Sequence, residues 1–269
     1  MPLSRVPAPD HAAHSQPAQP LEDDMRKLAL VTFAATLAAC AEPEQAPSAE
    51  SAPGVTTEVE VHEAVSLTPE QQAGRVTFEG VCWTCHGAGG HGDGPAVTQD
   101  LQPPTFHTRD YAAASRATLM QRFQASLAGE DPSHPHMQHV AKLVKEESFA
   151  AALAYIPALA YPPEIPGSAI HGQEIYQYRC AGCHGTAGRG DGPGAANLVD
   201  VKPADFTTDT LVAKGDWDAV FAKVRVGGDR VHGSTMPAWG TILNDADLWD
   251  LVAYLATFQP GLVAAPSWN

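Results

Sequence analysis

Positive charge is scarce in this sequence. Its 269 residues hold 16 lysines and arginines against 31 aspartates and glutamates, a formal net charge of −15. A nucleic-acid partner is excluded on that ground, because a polyanion needs a basic surface. A field of this sign steers basic partners instead, with an association that should weaken as salt rises. Apolar length is also short where an anchor would be sought. Residues 28–39 give twelve apolar-biased positions, too few for a permanent membrane helix, which needs about 20. Cysteine is sparse as well: there are five, and four of them fall in two short motifs.

Those motifs are Cys82-Trp83-Thr84-Cys85-His86 and Cys180-Ala181-Gly182-Cys183-His184. Two thiols three residues apart on a helical turn can bond the two vinyl-derived carbons of one porphyrin edge. The histidine that follows then reaches the iron with a ring nitrogen. Each motif therefore reads as a covalent attachment site for one haem c, with His86 and His184 as proximal iron ligands. A redox dithiol or half a zinc site would use the cysteine pair without the adjoining histidine.

The chain repeats around these motifs. Gly74, Phe78 and Cys82 lie over Gly172, Tyr176 and Cys180 without a gap, and Gly92-Asp-Gly-Pro95 corresponds to Gly190-Asp-Gly-Pro193. Pro103 and Phe106 match Pro203 and Phe206, Met137 matches Met236, and Tyr155 matches Tyr254, at offsets of 98 to 100 residues. Two domains follow, over 67–160 and 168–269. Residues 161–167, with three prolines and a glycine, form a short, stiff connector that restricts their mutual orientation.

The first 39 residues belong to neither domain. Met25-Arg-Lys27 gives a basic start, the apolar run follows, and Leu37-Ala-Ala-Cys40 closes it, the pattern of an export signal. The tetrapeptide resembles the bacterial lipoprotein box, which implies lipidation of Cys40 and a membrane anchor facing the periplasm. An ordinary soluble-export signal with a chance cysteine is the alternative. Acylation would account for the one cysteine outside the haem motifs. Glu22, Asp23 and Asp24 stand directly before Met25 and are wrong for the start of such a signal, so Met25 is the expected translation start. From Cys40 to Ser66 the chain is rich in Ala, Pro, Glu and Ser and reads as a disordered acidic tether.

Thr68-Pro69-Glu70-Gln71 has the form of a capped helix start. The helix should run to Cys82 with Gly74 and Phe78 on one face. Its expected partner is the last helix of the domain, which carries Tyr155; Tyr254 takes that place in the second copy. Asn244 opens that last helix of the second copy with a capping pattern and an apolar 3–4 spacing.

The order of aromatic helix, haem motif, Gly-Pro loop, methionine loop and C-terminal helix resembles class I cytochrome c, twice over, across nearly all of 67–258. The resemblance implies an all-α fold of two tandem domains, each a small helical shell around one covalently bound haem c. It implies that the carbonyl of the proline in the Gly-Pro loop orients the proximal histidine, Pro95 serving His86 and Pro193 serving His184. It also implies methionine as the second axial ligand. Met236-Pro237-Ala238-Trp239 matches the family's methionine loop closely. In the first half Met137 keeps the register, 18 residues before Tyr155 as Met236 is before Tyr254. His134, His136 and His139 crowd Met137 and are alternative ligands; Met120 lies in an apolar helical pattern and fits the core better.

Thioether ligation stabilises ferrous iron and fills the position a substrate would take. The expected role is thus electron transfer rather than catalysis. The chain would be a membrane-anchored dihaem carrier between periplasmic redox proteins, or a cytochrome subunit of a respiratory complex, with no small-molecule substrate. The alternative is a dihaem enzyme of peroxidase type whose first haem has a labile distal ligand. A cysteine-ligated catalytic haem is excluded, since no cysteine is spare once Cys40 is acylated. A gas sensor would need an output module that the sequence does not show.

Overall fold

Each half begins with a helix whose end is a haem motif. The computed structural model describes residues 60–131, 136–140, 142–228, 236–259 and 261–266. The expected leader, the expected lipidation site Cys40, the expected tether up to residue 59 and His134 lie outside them. The described residues are helical and contain no strand, as the all-α reading requires. Among them no helix is long and apolar enough to cross a membrane.

In the first half α1 (Pro69–Thr77) starts on Thr68. Its side chain accepts from Gln71 N (3.2 Å), and Gln71 Oε1 accepts from Thr68 N (2.9 Å), the reciprocal cap legible in the sequence. The helix widens into a π turn at Phe78–Cys82 and continues into α2 (Trp83–His86). Short α3 (Arg109–Ala112), then α4 (Arg116–Ala128), α5 (Met137–Val140) and α6 (Glu146–Leu159) complete this half. The second half repeats the plan with α7 (Ala169–Arg179), α8 (Ala181–His184), α9 (Thr210–Ala213), α10 (Trp217–Val226) and α11 (Asp245–Ala256).

The two long helices of each half cross at a glycine. A Cβ on Gly74 of α1 would lie 2.0 Å from the carbonyl oxygen of Ala151 in α6. One on Gly172 of α7 would lie 1.9 Å from the carbonyl oxygen of Asp250 in α11. Only hydrogen fits there. The aromatic four residues on then fills the seam: Phe78 meets Tyr155 edge-on at 5.7 Å, and Tyr176 meets Tyr254 at 5.1 Å. Gly74→Ala or Gly172→Ala is therefore expected to destabilise by at least about 1–3 kcal/mol through overpacking. Gly80→Ala, with nothing within 4 Å of the new atom, should be neutral or gain about 0.5–1 kcal/mol. Thermal unfolding of the three variants checks the contrast.

The halves do not merely follow one another. Ile170, in the first turn of α7, packs into the first core with Phe78, Phe106 and Leu159. In the connector Tyr161 and Ile165 are buried in the second core, and Tyr161 OH donates to Ala264 O at 3.0 Å.

Packing against the fold begins earlier than the sequence suggests. Residues 60–66, read as the end of the solvated tether, lie against the second half. His62 Nε2 is 2.9 Å from Thr257 Oγ1, its ring stacks on Phe258 at 4.3 Å, and Tyr254 OH donates to its carbonyl at 2.7 Å. Ala64 is buried, and its N–H donates to Gln173 Oε1 at 3.0 Å. Composition averaged over the tether hides this, because the docking depends on two particular residues meeting a distant helix. The chain thus straps onto its second half before it enters its first.

Candidate functional site

In the second half α7 carries the chain to Cys180 and α8 presents Cys183 and His184 one turn on. The helix then stops at Gly185, whose φ of 79° is one that side chains rarely adopt. The Gly-Asp-Gly-Pro loop folds back under the motif. A Cβ on Gly192 would approach the Ala181 carbonyl oxygen to 2.5 Å, as one on Gly94 would approach that of Trp83 to 2.4 Å. This loop frames the histidine-bearing turn in both halves.

Cys180, Cys183, His184 and Met236 line one cavity of about 260 Å³, walled by apolar side chains such as Phe206, Val224, Trp239 and Leu251. That volume sits near the lower end of the range for small-molecule sites, roughly 300–1,000 Å³. The methionine is pinned by its own backbone: Gly228 N donates to Met236 O at 2.9 Å. Gly227, just beyond α10, leaves room for the Pro237 carbonyl oxygen, which a Cβ would approach to 2.5 Å. Two thiols, an imidazole and a thioether around an apolar slot are the donor set a covalently bound haem requires, and the second half fits that group.

The first half brings its axial candidates together on a smaller cavity. His86 and Met137 both line a space of about 70 Å³, with Phe106, Leu119 and Arg122. Cys82 packs at the edge of the same core. His136 and His139 are exposed, and His136 Nε2 donates to the Asp100 carbonyl oxygen at 3.2 Å. Of the described candidates, Met137 alone shares the cavity with His86. Met120 packs on the first core, the place its helical pattern suggested.

Cys82 and Cys180 are partly buried. Burial, and after it the neighbouring thiol, pushes Cys82 up to about 11 and Cys180 up to about 12. That is the reverse of the shift that activates a redox dithiol.

The two motif histidines are seated by aromatic stacking that sequence reasoning missed. His86 lies on Phe106 and His184 on Phe206, each with ring centroids 4.6 Å apart and planes 20° apart. The signal was present in the paired Phe106 and Phe206, whose role the repeat did not reveal. One expectation differs in detail. His184 Nδ1 donates to the carbonyl of Ala204 at 3.1 Å, where the resemblance implied Pro193. Stacking on Phe206 aims that nitrogen at the turn holding Ala204, while Pro193 is exposed. Burial lowers the affinity of His184 for a proton, which keeps a nitrogen lone pair available as a ligand.

A second group of polar residues, absent from the sequence reading, joins the halves. Asp250 on α11 is fully buried. Its carboxylate accepts from His91 Nε2 of the first half (2.7 Å), and from His171 Nδ1 (2.7 Å) and Ser168 N (2.6 Å) of the second. A charged residue among Leu248, Leu251, Val252 and Leu255 breaks an apolar face, and that was the available signal.

The cytochrome c family model matches the chain twice, at residues 71–160 and 169–259. Among curated relatives, the cbb3-type cytochrome c oxidase subunit FixP of Azorhizobium caulinodans is 28% identical over 201 residues, covering 72% of this chain and 62% of the relative. The subunit FixPc of Rhizobium leguminosarum is 28% identical over 196 residues, covering 70% and 61%. A thiosulfate dehydrogenase of Stutzerimonas stutzeri is 26% identical over 209 residues, covering 73% and 65%. The chain thus spans less than two thirds of the length of each of these relatives.

Proposed function

The chain belongs to the cytochrome c family in both of its halves, and from that premise we propose that it is a dihaem electron carrier passing single electrons between redox proteins. The observation that carries this reading is the meeting of Cys180, Cys183, His184 and Met236 on one apolar cavity. Haem c bound in each half would supply reversible one-electron exchange. Cys82 and Cys85 hold the group in the first half, and Cys180 and Cys183 in the second. His86 and His184 would supply nitrogen ligands to the iron, and Met137 and Met236 would supply thioether sulfur. As ligands, those two methionines would exclude small molecules from the iron and favour its reduced state. The Gly-Asp-Gly-Pro95 and Gly-Asp-Gly-Pro193 loops brace the histidine-bearing turns.

Lipidation at Cys40 would fix the carrier to the periplasmic side of a membrane. The relatives named as oxidase subunits support a place beside a larger respiratory complex. The net charge of −15 favours partners with basic docking faces, and complex formation should weaken with salt.

A second reading, an enzyme with a labile ligand on the first haem, draws on the relative named thiosulfate dehydrogenase and on the tighter first cavity. One experiment separates the two: a haem count with oxidised and reduced spectra, with and without carbon monoxide. The carrier reading expects two haems per chain, the weak far-red iron–sulfur band from both, and no carbon monoxide shift. A single haem, or carbon monoxide uptake by the untreated ferrous protein, would displace it.

A further inference from the structure

We propose that His91, His107 and Asp250 form a binding site for a divalent first-row cation of the Zn2+ kind, placed where the two halves meet. One ring nitrogen from each histidine and one carboxylate oxygen lie within 4.8 Å of one another. Two imidazoles and a carboxylate are a donor set suited to zinc and its neighbours. The site is separate from the axial histidines, and it draws on both halves: the histidines come from the first and the aspartate from the second.

His107 is the residue that points to a ligand. Its Nε2 donates to the Gly89 carbonyl oxygen at 2.6 Å, while its Nδ1 is sealed from solvent and has no hydrogen-bond partner among the described residues. A buried polar atom without a partner is costly. The bond at Nε2 fixes the tautomer so that Nδ1 carries a lone pair, the way metal-ligating histidines are oriented. Burial pushes this imidazole down to about 4, so it is neutral and ready to donate. The ring lies beside that of His91, with centroids 4.2 Å apart.

The remaining ligands already have outer partners. The oxygens of Asp250 accept from Ser168 N and from His171 Nδ1, which hold the carboxylate in place. A cation would displace the proton now shared between His91 and Asp250 and release it to solvent. Beside the cluster lies a cavity of about 150 Å³ whose lining includes His91, Asp93, His171, Asp247 and Asp250. Its three carboxylates make it a cation-attracting approach.

The test uses the untagged, haem-loaded chain, equilibrated with Zn2+ and freed of excess by gel filtration, with zinc and iron counted by mass spectrometry. One zinc per chain is expected. His107→Asn should lower zinc affinity by more than about 100-fold, since losing only an outer partner of a ligand already costs 10–100-fold. Haem spectra show whether the variant is folded. Where it fails to load haem, His91→Asn is measured in its place with the same expected loss. A wild-type chain that retains no zinc, or folded variants that retain as much as wild type, would overturn the site.

Discussion

Replacing Asp250 by alanine is expected to destabilise the protein by about 3–5 kcal/mol, the penalty for breaking a buried charge pair from one side. The side chain is 1% exposed. Its removal strands the Ser168 N–H and the rings of His91 and His171 without their shared acceptor. For a chain of this size the loss corresponds to a fall in Tm of roughly 6–20 °C, which calorimetry would read directly. Because His91 belongs to the first half and Asp250 to the second, the contact between halves should weaken most. Limited proteolysis at the connector would then accelerate, while each half keeps its haem spectrum. Asp250→Asn, which keeps the shape and one carbonyl acceptor, should cost less. A drop under about 1 kcal/mol in the alanine variant would mean that the cluster contributes no more than an ordinary surface pair.

The same cluster sets a pH dependence in chelator-treated protein. Burial alone would raise the carboxyl of Asp250, but hydrogen bonds from His171 and His91 outweigh it and hold the group well below its ordinary range. Burial opposes charge on His91 and His171 as well. The bonds to Asp250 prevail and raise both imidazoles, helped by Asp93 near His91 and by Glu174 and Asp247 near His171. Raised histidines stabilise fully below their ordinary value of 6.5 and lose that contribution as pH climbs through the higher folded values. The depressed carboxyl stabilises above its ordinary 3.8 and loses that contribution as pH falls through its lower folded value. His107, pushed down by burial, acts the other way from its neighbours and removes stability as pH falls from 6.5 toward about 4. Stability should thus decline as pH rises through and above 6.5, and that decline should vanish in Asp250→Ala. Parallel melting curves of wild type and variant would check this.

Met236→His should lower the midpoint potential of the second site by a few tenths of a volt, a substantial part of the about 0.8 V that axial ligands span. The reason lies in the donor: a thioether favours the reduced state and an imidazole does so less. Met236→Ala leaves an apolar wall where the sulfur stood, so half the far-red band should disappear and one haem per chain should take up carbon monoxide. Spectroelectrochemistry of the two variants separates lost ligation from lost packing, since histidine restores six-coordination without restoring the potential. The matching Met137→Ala variant should open the first site alone. If instead the first-half spectrum is unchanged, one of the neighbouring histidines holds that iron.

Much of this architecture was readable because it is local. The spacing of Cys82, Cys85 and His86 is a property of one helical turn. The Thr68 cap and the Asn244 cap each span three residues. The glycine and the aromatic on α1 and α7 advertise a helix crossing wherever the partner lies. The repeat supplied the rest, since a register kept across about a hundred residues ties Met137 to Met236 and Tyr155 to Tyr254 without coordinates.

What the sequence by itself determined was therefore the chemistry of each half: which thiols could hold a haem, which imidazole could reach its iron, and which thioether kept the register to oppose it. The tertiary structure alone decided how the halves are joined. The carboxylate of Asp250 meets His171 across 79 residues and His91 across 159, and His62 meets Thr257 across 195. It also decided that the carbonyl of Ala204 seats His184 and that His107 buries a nitrogen with no hydrogen-bond partner among the described residues. No periodicity encodes such pairs, because a hydrogen bond between distant residues depends on the packed path of the whole chain between them.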